Sequence, residues 1–239
     1  MPKANDQIGL GLGKLLGFGG PLLVYLVYRL STTSADPDLW GYMAFGRLFW
    51  QGGGFPFQDV FSYAPVKPVW VYHEWLTGVV LYPIYTTLGG LGLQLLKLAL
   101  GLAMAGLVFA TACKNRASAA AAGIALFIAG GVFSLGYSPV RAGVFTLVLF
   151  ALSLLIMETA RQEGRWKLLI WLLPIQILWA NLHGGFVSGL GLIGLYALGE
   201  ALARRRFGPY VWALAGAAAA TLINPYGLDY WTYLVKALT

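Results

Sequence analysis

The sequence predicts an all-α protein, a polytopic transmembrane helical bundle of about seven spans with juxtamembrane helices in its first outer loop. Hydrophobic residues make up 59% of the 239 residues, and the mean hydropathy is +0.71. Charged residues make up only 10%, against roughly 25% in soluble domains. Too few charges therefore remain to cover a water-facing surface. The 15% of aromatic residues suits rings that settle at lipid headgroups.

Seven apolar runs approach the roughly 20 residues that a membrane-spanning helix needs. They cover residues 11–30, 92–112, 117–135, 140–157, 168–181, 184–203 and 209–223, within a single transmembrane domain over residues 1–239. The first run is interpreted as a signal anchor. A further run, residues 75–88, is shorter and contains Pro83. We therefore predict a short re-entrant or juxtamembrane helix there.

The basic residues set the expected orientation. If residues 75–88 do not span, the clusters at 114–116, 161–167 and 204–206 all fall on the same side as the N-terminus. Basic loops stay in the cytoplasm, so we expect a cytoplasmic N-terminus and an outside C-terminus. The net charge of +7 is then explained by anionic membrane lipid, and nucleic acid is not expected as a partner.

Polar motifs gather on the opposite, outer face. The outer loop 31–74 carries Asp36 and Asp38 before an amphipathic stretch, and it ends with a histidine and a glutamate. Simple structural roles exist for these motifs: Asp38 can cap that helix, and Asp-Pro-Asp can form a turn. Arg141 opens a helix at membrane level, where an unpaired charge is costly, so it requires a carboxylate or phosphate partner. The candidate site residues on this face are Asp36, Asp38, His73, Glu74, Arg141, His183 and Asn224.

Together these groups suit transfer from a lipid-phosphate donor. A carboxylate can act as general base on an acceptor hydroxyl, and an arginine can hold a phosphate. A histidine can bind a phosphate or a metal, and aromatic rings can stack on a sugar. The sequence contains no Walker or Rossmann fingerprint, no H-E-x-x-H and no G-x-S-x-G. Its one cysteine, Cys113, excludes an internal disulfide.

Five motifs carry a family resemblance. They are ADPDLW at 35–40, HEWL at 73–76, SPVR at 138–141, NLHGG at 181–185 and NPYG at 224–227. In this order they resemble a poorly characterised branch of bacterial membrane proteins in the GT-C glycosyltransferase superfamily. The likeness runs from about residue 8 to the end of the chain.

The resemblance implies a seven-helix module in the bacterial cytoplasmic (inner) membrane that moves a sugar from a polyprenyl-phosphate donor, usually with inversion. A first-loop acid serves as base in that superfamily, so Asp38 is the favoured base and Asp36 the second candidate. Arg141 would meet the donor phosphate, and His73, Glu74 and His183 would line the pocket, with Asn224 as a further substrate-binding residue. Some members need a divalent metal, which leaves the cofactor open. The alternative is a non-catalytic accessory subunit of a larger membrane complex that keeps this fold.

Overall fold

The computed structural model describes residues 19–64 and 68–238, and the regular secondary structure of this part of the chain is helical apart from one short pair of strands. The all-α prediction is confirmed. The helices are α1 (Gly20–Ser31), α2 (Pro37–Gln51), α3 (Trp75–Lys114), α4 (Ala119–Tyr137), α5 (Gly143–Glu163), a 3₁₀ helix (Trp166–Trp171), α6 (Leu172–Leu182), α7 (Phe186–Leu202), α8 (Gly208–Ala220) and α9 (Leu228–Leu238). The strands are β1 (Ser34–Ala35) and β2 (Pro139–Val140).

The helices connect two chemically different ends of the bundle. The basic end carries the clusters at 114–116, 161–167 and 204–206, and the acidic end carries Asp36, Asp38 and Glu74. At the basic end, the ion pair between Lys114 and Glu163 joins the C-terminal ends of α3 and α5. At the acidic end, the hydroxyl of Thr77 donates to the carbonyl of Leu182 at 2.7 Å. From residue 90 onward the chain runs between these ends six times, over residues 90–114, 119–137, 143–163, 166–182, 186–202 and 208–220. Helix α1 runs toward the acidic end, and the first part of the predicted run 11–30 lies outside the described residues.

Helix α3 consists of two helices joined at a break. Gly89 has φ 62° and ψ −154°, a backbone conformation that is essentially restricted to glycine. Thr77 lies at the acidic end before the break, and Gln94 returns to it after the break by donating to the carbonyl of Ser31 at 2.9 Å. Residues 75–88 therefore begin and end at the acidic end. This agrees with the sequence-based separation of that run from residues 92–112; its position relative to a membrane stays a prediction.

Two of the described helices, Trp75–Lys114 and Gly143–Glu163, are long and apolar enough to cross a membrane by length and composition. At 1.5 Å per residue, a 21-residue helix such as α5 is about 32 Å long, against a hydrocarbon core of about 30 Å. Three further helical stretches, Ala119–Phe133, Trp166–Leu182 and Phe186–Leu202, are apolar but shorter. The predicted run 168–181 starts as a 3₁₀ helix, which advances about 2.0 Å per residue and so lengthens this pass.

Two close approaches of the backbone position the acidic end. Where α2 crosses α3, a Cβ atom on Gly78 would lie 2.7 Å from the carbonyl oxygen of Tyr42, so only glycine allows this contact. The crossing brings α2 against the first turns of α3. Strands β1 and β2 pair in parallel, with Ser34 opposite Pro139 and Ala35 opposite Val140. The residues that follow the two strands are consequently delivered side by side.

Candidate functional site

Asp36 and Arg141 follow the paired strands and face each other. The Nη1 atom of Arg141 lies 4.0 Å from Oδ2 of Asp36, and the arginine side chain is 51% exposed. Asp36 is the N-cap of α2, because its Oδ1 accepts the backbone N–H of Asp38 at 3.0 Å. The alternative in which Asp38 caps this helix is therefore wrong. Pro37 occupies the first helical position, which makes the preceding residue the cap.

Asp38 lies exposed in the first turn of α2. Within the described part of the chain, its carboxylate accepts no hydrogen bond. Its negative charge nevertheless acts on the pKa values of Tyr72, His73 and Glu74, so it lies near all three. Asp38 and Arg141 therefore share one end of the bundle, as the sequence-based hypothesis requires.

Glu74 is the centre of a second group of side chains. Its side chain is 13% exposed, and Oε2 accepts the hydroxyl of Tyr42 at 2.6 Å. Its Oε1 lies 3.3 Å from Nε2 of His183 and 3.7 Å from Nε2 of His73. Glu74 occupies the N-cap position of α3, but its carboxylate bonds to these side chains instead of capping the helix. A simple capping role for the His73-Glu74 pair therefore does not account for its geometry.

Contacts of the Nδ1 atom fix the orientation of the His183 imidazole. Its Nδ1 accepts the backbone N–H of Gly185 at 3.0 Å and lies 2.7 Å from the hydroxyl of Thr146, which also accepts the indole N–H of Trp179 at 2.8 Å. This network assigns the proton of the neutral ring to Nε2, which faces Glu74. Gly185 is required here, because a Cβ atom would lie 2.5 Å from Thr146 Oγ1.

Burial determines the protonation of this group. It raises the pKa of Glu74, against the opposing effects of the Tyr42 hydrogen bond and of His183. Burial also lowers the pKa of His73 and of His183. It raises the pKa of Tyr42, whose bond to Glu74 adds to the shift. Near neutral pH both imidazoles are therefore uncharged, and Arg141 is the one permanent cation among the predicted site residues.

An open cleft of about 790 Å³ reaches His73 at the acidic end. One wall is the extended segment that precedes α3, and the other is the polar face of α9. The hydroxyl of Tyr230 donates to the carbonyl of His73 at 3.3 Å, and the backbone N–H of Tyr72 donates to the hydroxyl of Tyr226 at 3.1 Å. The cleft is lined by Asp59, Pro68, Val69, Trp70, Val71, Tyr72, His73, Asp229, Thr232, Tyr233 and Lys236.

Asn224 lies elsewhere. Its amide nitrogen donates to the carbonyl of Thr221 at 2.7 Å, and its Oδ1 accepts the backbone N–H of Tyr226 at 2.8 Å. Both ends of the amide are thus used to form the Asn-Pro-Tyr-Gly turn. Asn224 lines a separate, mainly apolar groove of about 480 Å³ that also contains Trp75 and Leu178. The structure brings together six of the seven predicted site residues and leaves Asn224 outside, where a substrate-binding role stays a prediction.

Sequence reasoning missed four members of the Glu74 group and its surroundings, namely Tyr42, Thr146, Trp179 and Tyr230. Only Tyr42 had a signal in the sequence, because it follows Asp38 by four residues and so lies on the same helix face. Within residues 19–64 and 68–238, no group of three or more His, Cys, Asp or Glu side chains is arranged to hold a metal ion.

No known protein family, curated protein or solved structure matches this chain. The function of the acidic end is therefore inferred from its side chains and their geometry.

Proposed function

We propose that the chain is a polytopic membrane glycosyltransferase of the GT-C type, which moves a sugar from a polyprenyl-phosphate donor to an acceptor hydroxyl outside the bacterial cytoplasmic membrane. One observation carries the proposal. The first-loop carboxylates, Arg141 and the Glu74–His183 pair converge at one end of an apolar helical bundle. A lipid-anchored phosphate and a water-borne acceptor can meet at such an end.

The outward surface of the bundle supports seven membrane spans. Large apolar side chains on α3, α4 and α7 are exposed on the surface of the bundle, among them Leu91, Ile128, Val132, Leu195 and Leu198, each more than half exposed. Such a surface is stable in lipid and unstable in water. The basic end carries the clusters at 114–116, 161–167 and 204–206, so the positive-inside rule assigns it to the cytoplasm. The acidic end then faces outside.

Arg141 is suited to the donor phosphate. Its present partner, Asp36, is at the outer limit of an ion pair, and the guanidinium itself is half-exposed, so solvent screens the pair and its contribution to stability is small. A guanidinium binds a phosphate through two parallel N–H donors, which is a stronger arrangement. A phosphate therefore displaces the water around Arg141 at low cost while Asp36 keeps the guanidinium oriented.

Asp38 is suited to act as the base. Its carboxylate is exposed at the acidic end. The carboxylate of Asp36, in contrast, already accepts the Asp38 N–H and pairs with Arg141. In the reaction, Asp38 takes the proton of the acceptor hydroxyl while the new bond forms at the anomeric carbon. The bond to the phosphate oxygen breaks, and polyprenyl phosphate leaves with its charge against Arg141. His73, Glu74 and His183 supply donors and acceptors for sugar hydroxyls.

The test is sugar transfer by the purified protein in lipid nanodiscs, with and without Asp38→Asn. Removal of a general base is expected to reduce turnover by roughly 10²–10⁴-fold. Glu163→Gln is the matched control, because it removes a carboxylate at the basic end and is expected to leave turnover unchanged. Turnover by Asp38→Asn equal to that of the unaltered protein would show that Asp38 is not the base.

A second function, an accessory subunit of a larger membrane complex, is favoured by the surface of the first loop. Trp40, Trp50 and Val60 are each more than half exposed there, and such aromatic and apolar side chains are typical of protein contacts. Isolation in a mild detergent distinguishes the two functions. Stable association with another membrane protein that is lost on Trp40→Ser, together with absent transfer activity, would favour the accessory role.

A further inference from the structure

Lys97 is a buried lysine at the acidic end of α3. Its residue is 1% exposed, and its ammonium group donates to the carbonyls of Thr32, Ser138 at 3.1 Å and Tyr137 at 3.3 Å. These three bonds use all three donors of an ammonium group. Within residues 19–64 and 68–238, no carboxylate forms an ion pair with Lys97. Its charge is therefore balanced by the carbonyl groups that end two helices.

Those carbonyls belong to the two chain segments that deliver the site. Thr32 follows α1 and precedes β1, while Tyr137 and Ser138 end α4 and precede β2. A cation between two helix C-termini is favourable, because both helix dipoles place partial negative charge there. Asp36 and Arg141 come directly after the two strands. Lys97 thus joins the two segments that immediately precede Asp36 and Arg141.

Few other bonds join these segments. The backbone N–H of Ser34 donates to the carbonyl of Ser138 at 3.0 Å, and the hydroxyls of the same two serines lie 3.2 Å apart. A two-residue parallel pairing contributes little by itself, because short isolated strand pairs are only marginally stable. The three bonds of Lys97 add a further connection between the two segments.

We propose that Lys97 is a positioning residue that ties β1 to β2 and thereby sets the spacing of Asp36 and Arg141 for a phosphate-bearing ligand. The phosphate part of this inference rests on the proposed function. The tie between the strands does not, and it is tested separately.

The tie is measured by disulfide formation. Ser34→Cys and Ser138→Cys, in a Cys113→Ser background, place two thiols where the hydroxyls are 3.2 Å apart, which suits a disulfide. Oxidation is followed with Lys97 present and with Lys97→Met, which keeps the length of the side chain and removes its donors. Loss of the three ammonium bonds, one of them to the buried carbonyl of Tyr137, is expected to slow cross-linking roughly tenfold or more. Thr111→Val, a polar-to-apolar change at the other end of α3, is expected to leave the rate unchanged.

The consequence for the ligand is measured by the donor KM and by turnover in the same proteins. Lys97→Met is expected to raise the KM for a polyprenyl-phosphate sugar roughly tenfold with a much smaller effect on kcat, because the spacing of Asp36 and Arg141 affects phosphate binding. The oxidised disulfide is expected to restore the KM in the Lys97→Met protein, and a reducing agent to abolish that rescue. General destabilisation of the bundle would not be reversed by one cross-link at this position.

Each outcome tests a different part of the proposal. An unchanged cross-linking rate in Lys97→Met overturns the tie whatever the chain catalyses. Slower cross-linking with an unchanged donor KM, or a raised KM that the disulfide fails to restore, overturns the link to phosphate binding. If the unaltered protein transfers no sugar, the proposed function fails, and the cross-linking rate alone still supports or overturns the tie.

Discussion

Replacing Tyr42 by Phe removes the strong hydrogen bond at the centre of the acidic end. The buried ring fits as before, and the change removes the hydroxyl that donates to Glu74 Oε2 at 2.6 Å and accepts the backbone N–H of Ala142 at 3.5 Å. Hydrogen bonds to charged groups contribute roughly 1.5–3 kcal/mol. Because the carboxylate form loses a donor, the pKa of Glu74 is expected to rise further in the variant. Because burial has already raised this pKa, the carboxyl group of the variant stays protonated closer to neutral pH.

The pH dependence of stability follows from this shift. Tyr42 stabilises the carboxylate form of Glu74, so the free energy lost in Tyr42→Phe is largest at pH values where the folded and unfolded Glu74 are both ionised. It becomes small at acidic pH, where both are protonated. The difference in unfolding free energy between the two proteins is therefore expected to increase with pH, up to about 1.5–3 kcal/mol.

Carboxyl-¹³C labelling of glutamate gives a direct measurement. The chain has only the glutamates Glu74, Glu158, Glu163 and Glu200, so their signals are few enough to assign by substitution. Tyr196→Phe is the matched control, because the Tyr196 hydroxyl bonds to Glu158 at 2.6 Å at the basic end. It is expected to alter the titration of Glu158 alone. A Glu74 titration midpoint that is unchanged or lower in Tyr42→Phe would refute the hydrogen bond and the shift derived from it.

Three further predictions concern packing, acid sensitivity and orientation. Gly78→Ala is expected to cost about 1–3 kcal/mol in thermal or denaturant unfolding, because its Cβ would overlap the α2 backbone, whereas Gly106→Ala, with nothing within 4 Å, is expected to be neutral or stabilising. Because burial lowers the pKa values of His73 and His183, unfolding free energy is expected to fall as the pH drops below about 6.5, and a double His→Gln variant should lose this acid-side slope. A single cysteine at position Asn115 is expected to resist labelling by an impermeant reagent added outside intact cells; labelling there would reverse the orientation.

The positions of the helices could be predicted from the sequence, because each depends on local composition. The break at Gly89 coincides with the Gly-Gly pair at which the short run 75–88 was expected to end. The C-terminal segment 228–238, which alternates apolar and polar residues at helical spacing, forms helix α9. Most other predicted and observed helix ends differ by no more than three residues, but α5 continues six residues past the predicted end at 157. Pro37 also indicated that the residue before it, Asp36, caps α2. The hypothesis that Asp38 caps this helix did not use that signal.

The contacts within the site were not accessible in the same way. Tyr42 reaches Glu74 only because α2 and α3 approach at Gly46 and Gly78, and neither glycine indicates from sequence which helix it meets. Lys97 lies within the predicted run 92–112, and its three carbonyl partners are between 40 and 65 residues away in the sequence. Hydrogen-bond partners at such separations are set by tertiary packing. Convergence of charged motifs on one end follows from helix count and was therefore predictable.

A comparison of two tyrosine–glutamate pairs shows why the acidic end, and not the basic end, is the candidate site. At the basic end, Glu158 accepts Tyr196 at 2.6 Å, Arg161 at 2.7 Å and Gln162 at 3.0 Å, so its carboxylate is neutralised and largely saturated.

At the acidic end, Glu74 also accepts a tyrosine at 2.6 Å, but its remaining neighbours are two imidazoles that burial keeps uncharged. The nearby cation, Arg141, is directed at Asp36 instead. Glu74 therefore has one neutral imidazole donor, the Nε2–H of His183 at 3.3 Å, where Glu158 has a guanidinium. A buried carboxylate without a cationic partner of its own carries an energetic cost, and such perturbed groups are concentrated at functional sites. Of the two ends, the acidic end is therefore the candidate site.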